Sequence, residues 1–254
     1  MSNLDFSEVV YVKVSGQYDG QRLDNFLIRV LKNVPKSRIY NLIRKGEIRL
    51  NKGRCKPDSR LAMDDIIRIP PIRSVGNNET QAVSNSLKKY ILENILFEDR
   101  DLLVFNKPSG LAVHGGSGIS MGVIEVFRSL RKSDEYLELA HRIDKDTSGC
   151  LIIAKSRHAL SKIGESLQSN QVKKTYVALV KGNWPKGKSK VNAPLKRNTL
   201  LSGERIVKVD KLGKRSVTNF EITEKYENMT LLKINLETGR THQIRVHCQF
   251  SGMP

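Results

Sequence analysis

The sequence predicts an α+β protein in two parts: a small N-terminal module of helices and short strands, then a larger domain on a mixed, mostly antiparallel sheet. Three observations predict it. Apolar residues at helical spacing dominate the early part of the chain, strand-like apolar runs dominate the later part, and Ile72–Tyr90 between them is polar and aperiodic.

The elements follow in order. RLDNFLIRVL places Leu23, Phe26, Leu27 and Val30 at i, i+3, i+4 and i+7, the stripe of an amphipathic helix. Pro35 suits the first position of a second helix, SRIYNLIRKG, which carries Ile39, Leu42 and Ile43 inward and has Gly46 as its left-handed stop. EIRLNKGRC reads as a strand, a turn at Asn51-Lys52-Gly53 and the start of a return strand. Asp64-Asp65 turns the chain into the strand IIRIP, and Pro70-Pro71 closes the unit. Residues 1–20 are thus an N-terminal extension, 21–71 the module, 72–90 a linker and 91–254 the second domain. In that domain ILFED, LLVFNKP, CLIIAKS, KTYVALVKG, SVTNFEITEKY and MTLLKINLE are strands, and RHALSKIGESL is its one clear amphipathic helix.

Composition narrows the function. Lys and Arg number 44 against 26 Asp and Glu, a net charge of +18, so a nucleic acid or another polyanion is the expected partner. Half of that excess lies between Arg29 and Arg60, where eleven basic residues face two acids, Glu47 and Asp58. Lys36, Arg38, Arg44, Lys45, Arg49, Lys52 and Arg54 are the candidates for phosphate contacts. Cys55, Cys150 and Cys248 are scattered and show no C-x-x-C pairing, which argues against a disulfide framework or a zinc site and fits a reducing cytoplasm. No run approaches the roughly 18 apolar residues of a membrane span, and the N-terminus lacks the features of a signal peptide.

The densest chemistry is AHRIDKDTSG, Ala140–Gly149, just before the strand CLIIAK. Asp144 and Asp146 could form an acid–base pair, but spacing alone does not assign them. His141 has no partner at a metal-ligand spacing. Gly115–Gly122 lacks the Lys-Ser/Thr ending of a phosphate loop, and Ser148 lacks the G-x-S-x-G elbow of a hydrolase. From the residues alone, a turn-capping aspartate and a catalytic aspartate remain equal readings of Asp144.

RLDNFL, VPKSRIYNLIRKGEIRLN and DDIIRIP resemble the small RNA-binding module first seen in ribosomal protein S-four. HRIDKDTSG resembles the H-R-L-D signature of RNA pseudouridine synthases of the large-subunit rRNA type; KKTYVALVKG and LETGRTHQIRVH resemble that family's second and third motifs, in the same order. Together the resemblance covers about Gln21–Pro254, and NKPSGLAVHGGSG and APLKRN point to one subgroup of the family.

The resemblance implies a pseudouridine synthase fold and 23S ribosomal RNA as partner, with neither cofactor nor metal, and a monomer is expected. It makes Asp144 the catalytic residue, Tyr176 the ring lining the base pocket, Arg245 the cation paired with the aspartate, and Arg142 the side chain that fills the space of an extruded base. Family chains continue after the third motif through further strands, so this sequence is expected to lack its C-terminal part. Two other readings stand beside the enzyme: an RNA-binding protein with an inactive, truncated catalytic domain, and a metal-dependent nucleic-acid hydrolase using Asp144 and Asp146.

Overall fold

The computed structural model describes residues 6–31, 34–72, 83–115, 121–131, 135–169, 171–199 and 205–253. The chain divides into two compact units, 1–163 and 164–254.

The first unit holds two sheets. One is made of β1 (Val10–Lys13), β2 (Arg49–Leu50), β3 (Gly53–Arg54) and β4 (Ile66–Ile69) in the order β1-β4-β2-β3, all antiparallel. Helices α1 (Leu23–Val30) and α2 (Lys36–Lys45) bury Leu23, Phe26, Leu27, Ile39 and Ile43 against Ile67 and Ile69 of β4 in one apolar cluster. Gly46 ends α2 at φ 73°, a conformation that costs a residue with a Cβ far more. Asn51 and Lys52, at φ 48° and 67°, make the two-residue hairpin between β2 and β3, since both central positions of such a turn need positive φ. Pro35 caps α2 from outside instead of opening it. Val12, Val14 and Tyr18 are buried in the same cluster, so the stretch read as an extension supplies a strand of the module.

The second sheet of this unit is β5 (Ile95–Glu98), β6 (Leu102–Lys107), β7 (Glu138–Leu139) and β8 (Gly149–Ala154), in the order β5-β6-β8-β7, again antiparallel. Against it lie α3 (Asn85–Glu93) and α4 (Val123–Leu130), around a core of Ile91, Leu103, Phe105, Phe127, Leu151 and Ile153. Helix α3 corrects the linker reading of 72–90: Ser84 caps it by accepting from the Leu87 amide, and Ile91 is its buried anchor. Residues 73–82 of that stretch lie outside the described residues. Arg29 joins module and sheet, 3.4 Å from the Glu138 carboxylate, donating to the Glu135 carbonyl, and stacked over the rings of Tyr18 and Tyr136.

Helix α5 (Arg157–Gln168) runs across the boundary between units. The second unit contains β9 (Thr175–Lys181), β10 (Lys190–Asn192), β13 (Val217–Lys225) and β14 (Met229–Leu236) in the order β10-β13-β14-β9, the hairpin of β11 (Leu195–Thr199) and β12 (Arg205–Val209), and α6 (Gln243–Phe250). Val180, Trp184, Phe220, Leu232 and Ile234 form its core. Every named strand pair among the described residues is antiparallel, and α4 and α6 add helices where one had been expected.

Candidate active site

The HRIDKDTSG segment is the loop from β7 to β8. Ile143 is buried in the core of the sheet and holds the middle of the loop down, Asp144 is half-buried, and Arg142, Lys145 and Asp146 are exposed. The two aspartates therefore meet different surroundings, which argues against an equivalent carboxylate pair. His141 accepts the Ile152 amide through Nε2 at 3.1 Å, while the Ala140 amide donates to the Ile152 carbonyl, so the loop leaves the sheet along a fixed line. Gly149, at φ 120°, returns it into β8.

Beneath the loop lies a residue that sequence reasoning missed. Lys107, at the end of β6, is fully buried, and its ammonium donates to the carbonyls of Pro108, Leu111 and Lys145 at 2.7, 2.8 and 2.8 Å. All three protons of the ammonium are thereby used. Burial lowers its pKa, against the opposing pull of the Asp146 and Asp144 charges. The Gly110 amide also donates to the Lys145 carbonyl, and the Ser109 hydroxyl to the Asp146 carbonyl. The NKPSG turn thus grips the backbone of Lys145 and Asp146, next to Asp144. A signal for this existed: Leu103, Phe105 and Lys107 alternate along one strand and share its buried face.

Part of the glycine-rich segment, 116–120, lies outside the described residues. At its end the Glu125 carboxylate accepts the Gly115 and Gly122 amides at 3.0 and 2.9 Å, a structural use of the turn.

Tyr176 and Arg245 belong to the second unit. Tyr176 sits in β9 opposite Ile234 of β14, half-buried against the core. Arg245 is exposed on α6, between two buried polar residues. Gln243 accepts from the Thr238 hydroxyl and the Arg240 amide and donates to the Val217 carbonyl and the Thr218 hydroxyl oxygen. The Thr218 hydroxyl donates to His247 Nδ1 at 2.8 Å, because Nε2 must donate to the Ala193 carbonyl, 3.0 Å away. Burial lowers the pKa of His247, which keeps it neutral in this role. This closed network fixes the first turns of α6, a role the sequence reading gives to neither Gln243 nor His247.

The basic residues lie on the α1–α2 module: Lys36, Arg38, Arg44 and Lys45 on α2, Arg49 on β2, Lys52 in the hairpin turn and Arg54 on β3. Lys36, Arg44, Lys45, Lys52 and Arg54 are exposed, and Arg38 and Arg49 partly so. Among the described residues no group of three His, Cys, Asp or Glu could hold a metal ion, and no helix is long and apolar enough to cross a membrane.

An aspartate loop between two antiparallel strands and a basic helical module share the first unit, an arrangement suited to a protein that acts on nucleic acid. Residues 101–250 match the RNA pseudouridylate synthase family and residues 21–67 the S4 domain. The chain belongs to the RNA pseudouridylate synthase family. It is 53% identical over 250 residues to ribosomal large subunit pseudouridine synthase C of Haemophilus ducreyi, covering 98% of this chain and 78% of that protein. The Escherichia coli protein of the same name is 51% identical over 248 residues, covering 97% of this chain and 77% of the other. Among solved structures, human RNA pseudouridylate synthase domain containing 4 is similar at a TM-score of 0.55 and 28% identity, over 67% of this chain and 69% of that one.

Proposed function

We propose that the protein isomerises specific uridines of large-subunit (23S) ribosomal RNA to pseudouridine. The names of the curated relatives and the basic face of the α1–α2 module support RNA of this class as substrate. In this reading the target nucleotide leaves the stack at a cost of a few kcal/mol, and the exposed guanidinium of Arg142 fills its place. Asp144 is the catalytic carboxylate. Arg245, by the resemblance of its motif to the family's third, is the cation assigned to that carboxylate. Tyr176 offers the uracil a flat stacking surface.

The bond between ribose C1′ and uracil N1 breaks, the ring turns while held, and C1′ bonds to C5. The proton on C5 leaves and N1 takes one up, so atoms and electrons balance without a cofactor or a redox partner. The protein acts in this way as a cytoplasmic monomer with no small-molecule partner. The observation that carries the reading is the loop itself: one half-buried carboxylate, Asp144, beside a backbone pinned by the buried Lys107.

The test is release of tritium from 23S rRNA fragments labelled at uracil C5, with and without EDTA. Release untouched by chelation is expected. Shortening of the RNA that EDTA abolishes, without tritium release, would instead favour a metal-dependent hydrolase, and tight RNA binding with neither a binding protein.

A further inference from the structure

The α1–α2 module carries a cavity of about 630 Å³ that the phosphate contacts do not explain. It lies between α2 and the strand leaving the β2–β3 hairpin, and Ser37, Tyr40, Asn41, Arg44, Arg54 and Lys56 line it. The size is that of a cleft for a small organic ligand, about 300–1,000 Å³. Three of these side chains are cations and none of the lining residues is acidic. A surface for phosphates alone needs no cavity, since phosphates are reached from a flat or convex face.

The cavity is built in advance. Tyr40 is 42% exposed, yet its hydroxyl donates to the Asp24 carboxylate at 3.1 Å. Asp24 is itself 2% exposed and held by a two-point contact from Arg22, Nε and Nη2 lying 3.1 and 2.7 Å from its two oxygens. The Arg22 hydrogen bonds hold the Asp24 carboxyl below its ordinary range, so this acceptor stays charged. The phenol end of the ring is thus anchored while part of its surface remains open to solvent. Arg44 donates to the Asn41 side chain, and Arg54 packs beside Gly46, where an added Cβ would come within 3.2 Å of Nε. Aromatic and guanidinium planes fixed before binding lose little freedom when a flat ligand stacks on them.

We propose that this cavity takes one unpaired nucleotide of the RNA, its base against Tyr40 and its phosphates against Arg44, Arg54 and Lys56. The site rests on the reading of the module as RNA-binding, and it deepens it: the module recognises a bulged or looped-out base beside a helix, not duplex alone. Its lining shares no residue with Arg142, Asp144, Tyr176 and Arg245, the residues proposed to act on the isomerised uridine.

The test uses the whole chain and two RNA duplexes matched in length, one continuous and one with a single bulged adenosine, a base that cannot be isomerised. Fluorescence anisotropy should show tighter binding of the bulged RNA. Tyr40→Ala should erase that preference and weaken binding of the bulged RNA by roughly 5- to 100-fold, while leaving the continuous duplex unchanged. Tyr40→Phe, which loses the tie to Asp24 but keeps the ring, should retain most of the preference, and it serves as the control if the alanine variant melts early. Equal affinity for the two RNAs, or a preference that survives Tyr40→Ala in a folded protein, overturns the cavity assignment alone. Failure to bind either RNA overturns the RNA-binding reading along with it. Tritium release, measured separately, stands or falls without reference to this site.

Discussion

At the scale of single residues, the loop separates two aspartates that the sequence left equivalent. Asp146 is exposed, and what the fold uses there is its backbone carbonyl, which accepts the Ser109 hydroxyl. Asp146→Asn keeps that carbonyl, so the variant should fold and turn over uridine within about threefold of the parent; a lost surface cap costs about 0.5–2 kcal/mol at most. Asp144→Asn keeps shape and hydrogen bonding but removes the anion. RNA affinity should persist while tritium release falls below detection, because the contribution lost exists only along the reaction path. Two equally inactive variants would restore the paired-carboxylate reading. In the sequence, Asp144 is set apart from Asp146 only by its motif. Lys107 was missed because lysine is ordinarily a solvated residue, and only strand register betrays that this one points inward.

Among the elements, strands were easier to read than helices. ILFE, LLVFNK, GCLIIA and MTLLKINL are runs of apolar and β-branched residues bounded by turn signals, and each forms a strand where expected. Helix α6 was missed because its sequence, QIRVHCQF, turns polar side chains inward: Gln243 and His247 are buried and satisfied by Thr218, Thr238, Val217 and Ala193. A polar core contact leaves no apolar stripe to detect. His247→Phe would strand the Thr218 hydroxyl and the Ala193 carbonyl, and should cost about 2–4 kcal/mol in denaturant unfolding. The pH dependence has a definite sign. Burial puts the folded pKa of His247 below its ordinary 6.5, so the unfolded chain takes up the proton first as pH falls. The stability His247 provides is complete above pH 6.5 and is lost below it, and that acid-side loss should be missing from His247→Phe. An unchanged acid limb in the variant would remove His247 from this role.

For the whole molecule, ionisation and charge distribution carry the remaining predictions. Within the first unit, Tyr136 lies under the Arg29 guanidinium that ties the basic module to the second sheet. Burial, with the Glu138 charge nearby, pushes its phenol up to about 12 from 10.0. Between those values the unfolded chain releases the proton and the folded one keeps it, so stability falls as pH rises from 10 to 12, by up to about 2–3 kcal/mol. The buried Cys248 thiol, raised to about 11, acts in the same sense, whereas the lowered pKa of Lys107 opposes it. Comparison of melting curves with Tyr136→Phe isolates the tyrosine share, and curves that fall in parallel would refute it. The net charge of +18 was readable from composition, and its concentration between Arg29 and Arg60 falls within the S4-domain match; what composition could not supply was which of these cations are exposed. Lys36, Lys45 and Lys52 are exposed and lie outside the Tyr40 cavity, which makes them a clean set for measuring phosphate contact alone. Each phosphate contact contributes roughly 0.7–0.9 to the slope of log affinity against log salt. Replacing all three lysines by glutamine should therefore flatten that slope by about 2–3, with the curves of parent and variant converging as salt rises. The effect should be the same for bulged and continuous RNA, since no base is read. A slope that survives the triple substitution unchanged would move the phosphate track off the exposed end of α2 and its neighbouring hairpin.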